Sequence, residues 1–259
     1  MQNIFIQLLI FLFFTEITLP VLGQEKKEGT SDEQKRCVIF SGSTSLCLPQ
    51  KDLANEFGTM GEIGASIMYQ SQTRWLMGLD FGYFFGNSVK NDPIANLRNE
   101  DGNVIGNNGS YATFKIFMRG FQFPLLKFGK TIALSKNPVH NTFGGLTLLA
   151  GAGWLQHWTQ IQDLSKKTPQ FSEDYIDGYD RLTSGTGFGA WVGYIYLPAK
   201  SKLNFHLEGG YFLASTQTRR YNFSTNTPPG EKRVDGIMQL RLRICFTVKS
   251  KTENEFYYY

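Results

Sequence analysis

Acids and bases that recur at alternate positions of β-like segments are the residues of this chain most able to do chemistry. The chemistry they offer is mutual neutralisation. Glu62, Asp80, Lys115, Arg119, His157, His206, Glu208, Arg241 and Arg243 share the non-lipid parity of their segments. Period two sends successive side chains to opposite faces, so these groups line one side of a sheet. Charges withdrawn from water have to pair. Asp80 is placed at the height of Lys115 or Arg119, and Glu208 near Arg241 or Arg243. This predicts a packed ionic plug and no open pore.

Signals for turnover are weaker. His140, His157 and His206 are few and far apart, and neither H-x-x-x-H nor C-x-x-C spacing occurs, so no metal site or cofactor is expected. His157 precedes an acid-rich stretch (Asp163, Glu173, Asp174, Asp177, Asp180). A catalytic His–Asp pair at loop level is one reading; a histidine satisfied by neighbouring loops is the other and the expected one. No catalytic residue is assigned. The acids lack the alternate spacing of calcium loops and read as solvated. Gly185-x-Gly187-x-Gly189 lies on a strand and precedes no helix, which makes it a lumen-facing glycine row and not a nucleotide loop. Cys37 and Cys245 share lumen parity near the ends of the first and last strands. An oxidising compartment would allow a disulfide across that seam; the alternative is three isolated small buried residues, Cys47 included.

The elements that must position these groups are eight strand candidates: 37–48, 60–70, 74–86, 111–122, 143–160, 186–197, 202–217 and 234–248. In the third, Trp75, Met77, Leu79, Phe81, Tyr83 and Phe85 fall on one face, while Arg74, Gly78, Asp80, Gly82 and Gly86 fall on the other. The same parity assigns Phe114, Ile116 and Met118 to the lipid side of the fourth strand, and Leu240, Leu242 and Ile244 to that of the eighth. Short connections at 71–73 and 198–201 alternate with long polar loops at 87–110, 161–185 and 218–233. That rhythm is the asymmetry of a barrel whose N-terminus is periplasmic. The fourth connection has two readings. Either strand four stops near 122, or Phe123-Pro124-Leu125-Leu126 carries it past a bulge and 135–141 is the turn. The fold expected is all-β: a transmembrane antiparallel up-and-down β-barrel of about eight strands, with both termini in the periplasm. A soluble periplasmic sandwich is the structural alternative.

Residues 1–23 read as a secretory signal, with an apolar stretch from Ile4 to Phe14 and Val21-Leu22-Gly23 before the cut. Residues 24–36 form a polar periplasmic lead, 37–248 the barrel and 249–259 an aromatic tail. No other segment approaches the ~18 apolar residues of a helical span. A formal net charge of +4, evenly scattered, gives no nucleic-acid footprint. The location implied is the cell outer membrane, in contact with its lipid.

Partner-binding candidates come from residue type. Arg and Tyr dominate interface hot spots, which singles out Tyr179, Asp180 and Arg181 in one long loop, and Arg219, Arg220 and Tyr221 in another. Phe256, Tyr257, Tyr258 and Tyr259 follow a hydrophilic spacer and read as a docking segment, against the alternatives of an extra edge strand or an assembly signal.

Several stretches carry a resemblance. They are Leu48-Pro49-x-x-Asp52-Leu53-Ala54-x-x-Phe57-Gly58, Gly86-Asn87-x-Val89, Gly178-Tyr179-Asp180-Arg181-Leu182-Thr183, Arg220-Tyr221-Asn222-Phe223 and the Glu255-to-Tyr259 ending. In these the chain resembles an uncharacterised family of small outer-membrane barrels of Bacteroidota-type Gram-negative cells. The resemblance implies an envelope role, as an accessory of barrel assembly or of type 9 secretion machinery. The leading reading is therefore a non-enzymatic barrel that binds other envelope proteins. A small porin for a polar solute and an outer-membrane hydrolase remain as alternatives.

Overall fold

Alternation of large apolar with small or polar residues gives eight long strands in the computed structural model, which describes residues 36–134, 144–165, 168, 171, 175–198 and 204–249. The strands are β1 (Cys37–Lys51), β2 (Met60–Gln70), β3 (Trp75–Gly86), β4 (Phe114–Ile132), β5 (Gly145–Asp163), β6 (Thr183–Tyr196), β7 (Asn204–Thr218) and β8 (Lys232–Lys249). Each pairs antiparallel with its sequence neighbours, and β1 pairs with β8 to close the ring. Closure removes the exposed edges that an open sheet would leave. No helix among the described residues is long and apolar enough to cross a membrane; the strands are the crossing elements.

The barrel is apolar outside and polar within. Phe188 is 66% exposed and Leu126 63%, whereas Arg243 is 1% exposed and Glu62 is fully buried. Buried charge and exposed large apolar groups are the informative departures from soluble packing. The outer apolar face runs round the ring through Ile67, Met77, Leu148, Val192, Leu207 and Leu240.

Of the two readings of the fourth connection the second holds: β4 runs on past residue 122, with Phe123-Pro124 absorbed in a register shift between Gln122 and Leu125 opposite β5. A bulge adds residues on one strand and so resets side-chain parity. Before it Met118 and Gln122 point inward; after it Leu125 and Lys127 do. The expected turn at 135–141 lies outside the described residues.

The β1–β2 connection folds back into the barrel end. Helix α1 (Asp52–Glu56) and the residue after it place Leu53 and Phe57 in the core, at 0% and 1% exposure. Arg233 of β8 pairs with Glu56 at 2.6 Å, Val234 N–H donates to Asp52 at 2.8 Å, and Lys90 Nζ donates to the Ala54 carbonyl at 2.6 Å. The cap is thereby pinned to both β8 and the β3–β4 loop.

Candidate functional site: a charge-filled lumen beneath a loop crown

Strand parity carries the charges inward and register sets their heights. Arg241 lies directly opposite Glu208, and Arg243 opposite His206. Arg241 reaches Glu62 at 2.6 Å, Asp80 at 3.0 Å and Glu208 at 3.1 Å. Arg243 reaches Glu208 at 2.6 Å and Asp80 at 2.7 Å. Lys127 lies 2.7 Å from Glu208 and 3.0 Å from Asp80. The cluster therefore sets three carboxylates against three cations among the described residues.

Neutral groups take up part of the remaining polar capacity, while Glu208 Oε2 and Arg243 Nε stay buried without a hydrogen-bond partner. Arg241 Nε donates to Ser45 at 3.0 Å and Arg243 donates to Ser66 at 2.7 Å. Gln239 donates to Glu62 and accepts from the Trp191 indole, both at 3.1 Å. Lys127 Nζ also sits 4.0 Å above the Trp191 ring, a cation–π contact strengthened by the lack of water. Buried charges persist only when geometry and hydrogen bonds compensate desolvation, and here the direct ion pairs carry most of that compensation. Gly82 makes room for it: a Cβ there would stand 2.0 Å from Glu62 Oε1.

Lys115 and Arg119 are not in the plug, which corrects their assignment. Lys115 is exposed, and Arg119 faces outward, donating to Gln160 at 3.0 Å and lying 4.8 Å over the Phe117 ring. Near the long loops the barrel wall no longer meets lipid, so polarity inverts. Phe114 and Ile116 pack inward against Ile161 of β5 and the loop residues Ile94, Val104 and Tyr179, while the cations on the other parity stay wet. Met118, expected on the lipid side, is 1% exposed inside.

The proposed disulfide is also corrected. None of the three cysteines is in a bridge. Cys245 stands opposite Ser41, and Cys37 opposite Lys249. Four residues of strand separate Cys37 from Cys245, roughly 13 Å, against the ~7 Å limit for bridgeable Cα atoms.

His157 does find an aspartate, though not in the acid-rich loop. Its Nε2 lies 2.9 Å from Asp235 across the barrel, and Asp235 also accepts from Thr216 at 2.6 Å and from Arg233 at 3.4 Å. Phe57 covers the imidazole edge-on at 5.8 Å, and His157 is fully buried. The geometry is that of a strut beneath the cap. The hydroxyl on the pair, Thr216, is bonded to the aspartate and not to the imidazole, so among the described residues no hydroxyl is placed for activation by His157.

Above the cap, the partner-binding candidates of the loops are largely occupied with one another. Tyr179 is 8% exposed, held between Phe171, tilted at 5.4 Å, and Phe223, edge-on at 5.5 Å. Asp180 is 9% exposed, accepts the Leu182 N–H at 3.0 Å and pairs with Arg220. Burial pushes its carboxyl upward, against the pull of Leu182 N–H and Arg220. Tyr179 and Asp180 are thus internal supports, a correction to their reading as contact residues. Arg220 also bridges Asp177 at 2.8 Å. Arg219 donates to Ser184 at 2.7 Å and lies 5.6 Å over the Trp154 ring. Arg181 and Tyr221 remain partly or largely open, Tyr221 at 41%. Phe256, Tyr257, Tyr258 and Tyr259 lie outside the described residues.

No protein-family model matches the chain, and no curated protein matches it. Among solved structures it is similar to Ail, the attachment invasion locus protein of Yersinia pestis in complex with the heparin analogue sucrose octasulfate. The identity is 11% and the TM-score 0.42, over 82% of this chain and 99% of that one. It is also similar to Neisserial surface protein A, at 13% identity and TM-score 0.36 over 84% and 99% of the two chains. For the outer membrane protein OprG of Pseudomonas aeruginosa the values are 14%, 0.35, 83% and 95%. The fold stands on the hydrogen-bonded ring of this chain itself. An apolar belt around a closed eight-stranded ring with buried charge is the build of an outer-membrane β-barrel.

Proposed function

We propose that the protein is a sealed, non-enzymatic outer-membrane barrel that serves as an accessory subunit of an envelope complex. The observation that carries this reading is the charge cluster of Glu62, Asp80, Lys127, Glu208, Arg241 and Arg243, which fills the lumen with mutually bonded side chains. A lumen occupied in this way leaves no path for a polar solute, which argues against a porin. The buried His157–Asp235 pair has neither substrate access nor a nucleophile, which argues against a hydrolase. Function is then left to the surfaces outside the bilayer. On the outer side these are the crown with Arg219, Tyr221 and Phe223; on the periplasmic side, the segment ending in Phe256, Tyr257, Tyr258 and Tyr259. The resemblance to barrels of Bacteroidota-type cells points to barrel assembly or type 9 secretion as the machinery served.

The test is affinity isolation from detergent-solubilised outer membranes, beside a chain truncated after Val248. The reading expects a defined set of envelope proteins with the full chain and their loss on truncation. Isolation of the barrel alone from both preparations would contradict it.

A further inference from the structure

Four connections meet at one polar cleft of about 500 Å³. The β1–β2 connection supplies Asp52, Asn55 and Glu56, the β3–β4 loop Asn91 and the β5–β6 loop Arg181. Asn222, Thr225, Thr227 and Glu231 of the β7–β8 loop, with Lys232 and Arg233 at the start of β8, complete it. The volume falls in the range of small-molecule sites, and no apolar or aromatic side chain lines it.

Arg181 is the singular residue of the cleft. It takes a left-handed backbone, φ 50°, a conformation that non-glycine residues hold only where the surroundings impose it and that concentrates at ligand sites. Its guanidinium donates to two neutral oxygens, the Asn91 carbonyl at 3.4 Å and the Ser224 hydroxyl at 3.1 Å. Among the described residues no carboxylate lies within ion-pair distance of it. The nearby acids have other partners: Glu56 pairs with Arg233 through one oxygen, Asp92 with Arg98, and Asp52 accepts the Val234 N–H. The Arg181 Nε is buried with no partner. Burial lowers the Arg181 pKa from its ordinary value, against the pull of the Glu56 and Asp92 carboxylates.

We propose that this cleft binds a compact, highly polar monocarboxylate, with the carboxylate on Arg181 and its hydroxyl or amide groups among the surrounding Asn and Thr side chains. A guanidinium fork matches a carboxylate in geometry and charge. The lining sets Arg181, Lys232 and Arg233 against Asp52, Glu56 and Glu231, so a monocarboxylate adds one negative charge to a balanced cleft where a dianion such as phosphate would add two. The lack of an aromatic platform excludes ligands held by stacking. A sugar acid and the C-terminus of a short peptide both present this chemistry.

Calorimetry on the full chain in detergent, with gluconate, triglycine, triglycine amide and inorganic phosphate as probes, tests the assignment. Gluconate or triglycine is expected to bind wild type, and whichever binds names the source of the carboxylate. Triglycine amide is expected to bind at least ~10-fold more weakly than triglycine, the loss of one charged contact. Arg181→Asn, which keeps a residue tolerant of the left-handed backbone, should weaken binding by a similar factor while retaining the gel mobility of the folded barrel. Failure of both carboxylates to bind wild type would overturn the proposal, as would equal binding to Arg181→Asn or preferential binding of phosphate. The result is independent of whether envelope proteins co-purify, so the two proposals fail separately.

Discussion

Asp80→Asn removes one unit of charge from the lumen while keeping the side-chain shape. Asp80 touches Arg243 at 2.7 Å and both Lys127 and Arg241 at 3.0 Å, and it is 2% exposed. A unit pair 4 Å apart interacts by about 4 kcal/mol at an effective dielectric of 20, and desolvation offsets much of that sum. The net cost of leaving one buried charge uncompensated is about 3–5 kcal/mol. The same sum predicts a rescue. Lys127→Met in the Asp80→Asn background restores neutrality, because Glu208 keeps Arg243 at 2.6 Å and Arg241 at 3.1 Å. The double variant should regain at least ~1 kcal/mol over the single, within the usual range of coupling between contacting residues. Urea unfolding in phospholipid vesicles, followed by tryptophan fluorescence, measures both quantities. A loss below ~1 kcal/mol for Asp80→Asn, or a double variant no more stable than the single, would refute the reasoning.

Other consequences can be checked in the same system. Gly82→Ala places a methyl 2.0 Å from Glu62 Oε1 and should cost about 1–3 kcal/mol as an overpacked core change; an unchanged urea midpoint would contradict the packing. Phe57→Ala empties the cap above His157 and should cost about 3–5 kcal/mol, with faster amide exchange on the outer halves of β5 and β8; exchange that stays slow would show that the cap is dispensable. Cys37, Cys47 and Cys245 should resist alkylation in the folded barrel, being at most 2% exposed, and all three should react after unfolding without reductant. A missing adduct in the mass spectrum would reinstate a disulfide.

How much of this was legible in the sequence depended on whether a strand stayed within the bilayer and unbroken. β3, β7 and β8 keep one parity from end to end, so the inward placement of Asp80, Glu208, Arg241 and Arg243 followed from alternation alone. β4 does neither. Its outer end rises past the lipid, where water replaces hydrocarbon outside and loop side chains replace the polar lumen inside, so Lys115 and Arg119 reverse their expected direction. Its bulge then resets parity, which hid Lys127, the third cation of the plug. Phe123-Pro124 signalled the bulge, since proline within a strand marks a bulge or an edge, but not the direction of the side chains beyond it. Contacts across the lumen were beyond neighbour-strand reasoning. His157 meets Asp235 at a separation of 78 residues on a strand it does not pair with, and alternation carries no information about the far wall. The same limit applies to the cleft, which exists only once four separate loops converge.

Single-channel recording of the full chain in planar bilayers addresses the central claim of a sealed lumen most directly. The account predicts that wild type, inserted and shown to be folded by its gel mobility, gives a flat baseline with no ohmic steps at either polarity. Steady voltage-independent steps from wild type would mean that the charge cluster lines a conducting path, and the accessory-subunit reading would give way to a small porin.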